Sequence, residues 1–109
     1  MKITVAIPCY RSAKTLPIVV ERIKKTVRQE QGYEYQIVLV NDCSPDNTFE
    51  VIKGLCADDK NIVGINLARN WGQAHARMAA IPYIEGEIAV FMDDDGQHPI
   101  ERMFELIHK

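Results

Sequence analysis

Four short apolar runs along the chain alternate with longer segments whose apolar residues recur every three or four positions. Ile3 to Ile7 is largely apolar and β-branched, which predicts a strand ended by Pro8. Between Lys14 and Gln29, Leu16, Val19, Val20, Ile23 and Val27 fall on one helical face, with Arg22, Lys24, Lys25 and Arg28 elsewhere. Thr15 is placed to cap that helix and Pro17 sits in its first turn. Tyr35 to Val40 is apolar on both faces apart from Gln36, as in a strand covered on both sides. A second helix follows, with Phe49, Val51, Ile52, Leu55 and Cys56 inward. Ile62 to Leu67 predicts a third strand, interrupted by Gly64. A small-residue helix (Ala74, Ala76, Ala79, Ala80) ends near Pro82, and Ile88 to Met92 predicts a fourth strand. Beyond Pro99, the spacing of Ile100, Met103, Phe104 and Ile107 predicts a last helix.

Strands alternating with helices at short connections build an α/β domain. The expectation is a mostly parallel sheet with helices on both faces and right-handed crossovers. In such a sheet, ligands bind beyond the carboxyl ends of the strands. The loops at that edge are Pro8 to Ser12, Asn41 to Thr48, Ala68 to Gln73 and Asp93 to Pro99. They hold the unusual polar residues of the sequence.

The bulk numbers narrow the classes. A length of 109 residues allows one domain and leaves no room for a second. Thirteen basic against 15 acidic residues leave a net charge of −2, which argues against a nucleic-acid-binding module. No apolar run approaches the ~20 residues that span a bilayer, and the N-terminus does not read as a signal peptide. Cys9, Cys43 and Cys56 are odd in number and lack metal-ligand spacing, so we expect reduced thiols in a cytoplasmic protein.

The chemistry concentrates in Asp93-Asp94-Asp95-Gly96-Gln97. Three adjacent carboxylates after an apolar strand repel each other unless a cation sits among them, and hard oxygen ligands suit Mg²⁺ or Mn²⁺. There is no Gly-x-Gly-x-x-Gly after the first strand and no Gly-Lys-Ser/Thr loop, so phosphates here would be held through a metal. Asp42, one residue past a buried strand, is either an acceptor for a ligand's donor group or a cap for the following helix. Asp46 or Ser44 could serve as that cap instead. Arg69 could meet a phosphate or a carboxylate, or simply be solvated. Trp71 either caps the core or lines a pocket.

Taken together, Val5-Ala6-Ile7-Pro8-Cys9-Tyr10, Val38 to Thr48, Leu67 to Gly72 and Phe91 to Pro99 resemble the family 2 glycosyltransferases. The resemblance is closest to the branch acting on dolichol and undecaprenyl phosphates. It spans nearly the whole chain, with all four motifs in order. It implies the Rossmann-like nucleotide-binding half of a GT-A fold over residues 1–109. Pro8 and Tyr10 match positions lining the nucleoside pocket, and Asp42 matches the acid that reads the base. Asp93 and Asp95 match the Asp-x-Asp motif that holds Mg²⁺ or Mn²⁺ against the donor diphosphate, Gln97 matches a further metal ligand, and Arg69 matches a basic position near the donor. The implied reaction moves a hexose, with inversion, from a UDP- or GDP-linked sugar to an acceptor such as polyprenyl phosphate. The implied location is cytoplasmic, with the full enzyme at the cytoplasmic face of a membrane.

Two features depart from the family pattern. Relatives commonly carry Asn-Glu where Arg11-Ser12 stand here, and they are about twice this length or more. The resemblance therefore implies that the acceptor site and catalytic base lie beyond Lys109, that these residues at most bind the donor, and that uncovered surface at the fourth strand promotes self-association. A sugar nucleotidyltransferase would need glycines in a loop such as Pro8 to Ser12, which has none. A signalling receiver domain would need its acidic pair after the first strand. A non-catalytic nucleotide-binding or interaction module is left open by the sequence.

Overall fold

The computed structural model describes residues 1–69 and 72–92. Strand β1 (Lys2–Cys9) is followed by helix α1 (Leu16–Arg28), β2 (Glu34–Asn41), α2 (Thr48–Asp58), β3 (Ile62–Asn66), α3 (Gln73–Ala80), a 3₁₀ turn (Ile81–Tyr83) and β4 (Ile88–Phe91). The helix predicted beyond Pro99 lies outside the described residues. All three strand pairings are parallel, in the order β3-β2-β1-β4. The chain thus winds outward from β1 to β3, then returns past both to place β4 on the other side of β1.

Side-chain alternation divides the sheet between two layers. Ile3, Val5, Ile7 and Cys9 of β1 and Ile37 and Leu39 of β2 pack with Leu16, Val19, Val20, Ile23 and Val27 of α1 and with Ile52 of α2. Each large apolar side chain so buried contributes about 2 kcal/mol. The other face is thinner: Ala6, Val38 and Val40 meet Ala76 and Ala80, whose small side chains let α3 lie close to the sheet. Thr4 and Gln36 share that second face and are buried as well. The Thr4 hydroxyl donates to Gln36 Oε1 at 2.7 Å, while Gln36 Nε2 donates to the Tyr83 carbonyl at 2.9 Å. Gln36 Oε1 also accepts the Glu85 N–H at 2.9 Å, so one buried amide fastens the segment that leads into β4.

Three sequence expectations change. β1 runs through Pro8 to Cys9. Ala6 turns its carbonyl toward β4, where it accepts the Met92 N–H, and Pro8 shares that parity. The missing N–H of Pro8 therefore falls on the side where the β4 ladder has already ended at Phe91, and pairing with β2 is unbroken. Gly64 does not interrupt β3: it sits within the strand, paired with Leu39. Lys24, expected on the polar side of α1, is buried, with Nζ 3.4 Å from Asp59.

Candidate functional site

The register brings three strand ends level, Cys9 beside Asn41 and Asn41 beside Asn66, with β4 leaving the sheet nearby at Phe91. The loops that follow therefore start at one edge. Between β1 and β4 the strand order reverses, which is the position where open α/β sheets bind ligands. Pro8 is buried near the end of β1, Tyr10 is exposed just past it, and Asp42 is 4 % exposed just past β2. Arg69 is exposed beyond β3. Trp71, Asp93, Asp94, Asp95 and Gln97 lie outside the described residues; in sequence, Asp93 directly follows Met92, the last described residue beyond β4.

Hydrogen bonds knit three of these loops together. The Asp42 N–H donates to the Cys9 carbonyl at 2.9 Å, and the Leu67 N–H donates to the Asn41 carbonyl at the same distance. Asn41 Nδ2 donates to Asn66 Oδ1 at 2.8 Å, and Asn41 Oδ1 accepts the Ser44 N–H at 3.3 Å. The densest part centres on Asp46. Its Oδ1 accepts the Ser44 hydroxyl at 2.5 Å, the Thr48 hydroxyl at 2.5 Å and the Thr48 N–H at 3.1 Å. Ser44 Oγ in turn accepts the Arg11 N–H at 2.8 Å, and Thr48 Oγ1 accepts the Ser12 N–H at 3.0 Å. The Ser44 and Thr48 hydroxyls hold the Asp46 carboxyl below the usual carboxylate range.

This arrangement bears on both readings of Asp42. The α2 N-terminus is served by Asp46, so Asp42 is not needed as its cap. At positions 11 and 12, where the sequence departs from the family pattern, the loop is tethered through the backbone N–H groups. Arg11 (φ 52°) and Cys43 (φ 54°) are the non-glycine residues in the left-handed region among those described, one in each tethered loop. Each costs on the order of 1 kcal/mol, and such strain gathers at functional sites. The Arg11 guanidinium lies 5.6 Å from the centroid of the Tyr10 ring, which keeps a cation on an exposed aromatic face. Ser12 Oγ is buried with no hydrogen-bond partner among the described residues. Periodicity gave no signal for Asp46 as a hub; the only hint was the density of turn residues between Asn41 and Thr48.

Other hollows among the described residues lie away from this edge, one of them on α1 between Glu21, Arg22, Lys25, Arg28 and Gln29. A hollow of about 600 Å³ lined by Met1, Glu34, Glu85 and Glu87 among others lies at the opposite, amino-terminal edge of the sheet. Its three carboxylates outnumber the Lys2 ammonium and the Met1 terminus, which disfavours an anionic ligand there. Among the described residues, no cluster of three His, Cys, Asp or Glu side chains could hold a metal. The three cysteines are unbridged.

Comparison with known proteins is consistent with this geometry. The profile of glycosyl transferase family 2 matches residues 4–109. The chain belongs to that family. Undecaprenyl-phosphate 4-deoxy-4-formamido-L-arabinose transferase from Pseudomonas fluorescens (strain SBW25) is 33 % identical over 108 residues, covering 98 % of this chain and 31 % of that protein. The protein of the same name from Shewanella sediminis (strain HAW-EB3) is also 33 % identical, with 32 % of its length covered. The chain thus spans about a third of the length of the curated relatives it matches. Among solved structures, mannosyltransferase PcManGT from Pyrobaculum calidifontis, in complex with GDP-Man and Mn²⁺, superposes with a TM-score of 0.72 at 24 % identity, covering 92 % of this chain and 29 % of that one. S. aureus TarS 1-349 in complex with UDP-GlcNAc superposes with a TM-score of 0.65 at 26 % identity, covering 87 % and 27 %. The fold of this family 2 chain is the parallel α/β arrangement found in GT-A glycosyltransferases, as the motif order implied.

Proposed function

We propose that this chain forms the donor-binding part of an inverting glycosyltransferase that moves a glycosyl unit from a nucleotide-diphosphate sugar to polyprenyl phosphate. The observation that carries the proposal is the gathering of Tyr10, buried Asp42 and the strand that precedes Asp93-Asp94-Asp95 around the reversal of strand order. The names of the matched relatives support polyprenyl phosphate as the acceptor class. They carry a pentose derivative, so the transferred group is drawn as a glycosyl unit rather than a hexose. A lipid-linked acceptor favours work at the cytoplasmic face of a membrane. Among the described residues, no helix is long and apolar enough to cross one.

In this proposal Pro8 and Tyr10 line the nucleoside pocket, Asp42 accepts a hydrogen bond from the base, and Arg69 lies near the donor phosphates. Asp93, Asp95 and Gln97 offer two carboxylates and a carboxamide oxygen, a hard donor set that fits Mg²⁺ or Mn²⁺. A cation bound by them would supply Lewis-acid stabilisation of the charge that develops on the departing diphosphate. No residue of the chain is assigned as the catalytic base.

Calorimetric titration with UDP- and GDP-linked sugars, with Mn²⁺ present and then chelated, tests the proposal. The expected result is metal-dependent binding of one nucleotide class that disappears in Asp95→Ala and weakens in Asp42→Ala. Failure to bind either class in the presence of Mn²⁺ overturns it.

A further inference from the structure

Tyr10 is flanked by two fixed points. On one side, the Cys9 carbonyl holds the Asp42 N–H at 2.9 Å. On the other, the Arg11 N–H is held by Ser44 Oγ at 2.8 Å, and the Ser12 N–H by Thr48 Oγ1 at 3.0 Å. Both hydroxyls spend their own protons on one oxygen, Asp46 Oδ1, at 2.5 Å each. A hydroxyl that donates to a carboxylate is a better acceptor for a third group, so the two relays reinforce each other. Arg11 sits at φ 52°, a conformation that its neighbours must enforce.

We propose that Asp46 is a positioning residue for donor binding. Through Ser44 and Thr48 it holds the backbone of Arg11 and Ser12, and so fixes the loop carrying Tyr10 against the loop carrying Asp42. The proposal rests on the donor-site reading above, in which Tyr10 and Asp42 face the nucleoside. Asp46 itself touches no substrate. Its contribution is preorganisation: the loop is ordered before the donor arrives, so affinity rather than the chemical step depends on it.

Helix capping is separable from positioning, because Ser44→Ala removes the acceptor for the Arg11 N–H and leaves the Asp46–Thr48 cap in place. The test combines titration with the nucleotide sugar that the unmodified chain binds, in the presence of Mn²⁺, with amide hydrogen exchange in the absence of nucleotide. For Ser44→Ala we expect donor affinity to fall about fivefold and Arg11 exchange to speed up, with the exchange of core amides such as Val5 and Val38 unchanged. For Asp46→Ala, about tenfold weaker binding and faster exchange at both Arg11 and Ser12 are expected, with partial rescue in Asp46→Asn, which keeps an acceptor oxygen. Glu50→Gln, in the first turn of α2, should bind as the unmodified chain does. Unchanged donor affinity in Ser44→Ala and Asp46→Ala, or unchanged exchange at Arg11 and Ser12, overturns the proposal. Where Asp46→Ala fails to fold, Ser44→Ala decides alone. Absence of nucleotide binding by the unmodified chain overturns the donor-site reading first, and the positioning role with it.

Discussion

The Asp59 carboxylate, at the turn between α2 and β3, accepts the Tyr35 hydroxyl and the Asn61 N–H at 2.9 Å and lies 3.4 Å from the Lys24 ammonium. Both charged side chains are nearly nine-tenths shielded from solvent, so neither gains much from water when the other is removed. Burial pushes the Asp59 carboxyl up. The hydrogen bonds from Tyr35, Asn61 and Lys24 outweigh it and hold the group below the usual carboxylate range. A carboxyl with a depressed folded-state pKa contributes stability above its unfolded pKa, about 3.9, and loses it as pH falls through the folded value. Asp59→Ala should therefore destabilise the fold by about 2 kcal/mol at neutral pH in urea denaturation. That difference should shrink as pH is lowered below about 4. A difference that is constant from pH 7 to pH 3 would contradict this account.

At the scale of elements, a helix and a strand are placed by what their neighbours leave no room for. α2 lies on β3 at Gly64, where an added Cβ would come within 2.7 Å of Ile52 Cγ2 and 3.1 Å of Cys56 Sγ. The glycine that looked like a break in the strand is the seat for a helix. Gly86 brings the chain into β4 against β1: a Cβ there would lie 2.6 Å from the Thr4 hydroxyl, 2.7 Å from the Thr4 amide nitrogen and 2.8 Å from the Lys2 carbonyl oxygen. Two of these are backbone atoms of a central strand and cannot give way cheaply. Gly86→Ala should lower stability by about 2 kcal/mol and accelerate amide exchange along β4 before β2 and β3 respond. A melting curve and exchange profile matching those of the unmodified protein would show that β4 tolerates displacement from β1.

At the scale of the whole molecule, β4 pairs with β1 alone among the described residues. Phe91 on this strand is 38 % exposed, and Ile81 and Tyr83 in the turn before it are exposed as well. A parallel edge left unpaired by the described residues, beside apolar surface, is a template for further pairing. We expect self-association through this edge, seen as a mass above the monomer that rises with concentration in light scattering. A sharply monomeric profile at high concentration would count against it. The same edge borders the proposed donor site, so binding of a nucleotide sugar and self-association are expected to influence each other.

Much of this protein follows from local pattern. Short apolar runs at Ile3 to Ile7 and Tyr35 to Val40, and the 3.6-residue stripe from Leu16 to Val27, determine strand and helix because the burial they demand is local in sequence. The four motifs were likewise legible as linear strings, and they identify the family. Other features could only be decided in three dimensions. Strand order is one: alternation of elements is the same whichever side of β1 receives β4, yet it is beside such a reversal that open α/β sheets bind ligands. The burial of Lys24 is another, because its partner Asp59 comes from an element 35 residues away and was invisible to helical periodicity. The roles of Thr4, Gln36 and Asp46 belong here too. Thr4 and Gln36 are ordinary polar residues until the fold brings a second chain segment within hydrogen-bonding distance, and Asp46, bonded within its own loop, reaches a second segment through the Ser44 and Thr48 hydroxyls.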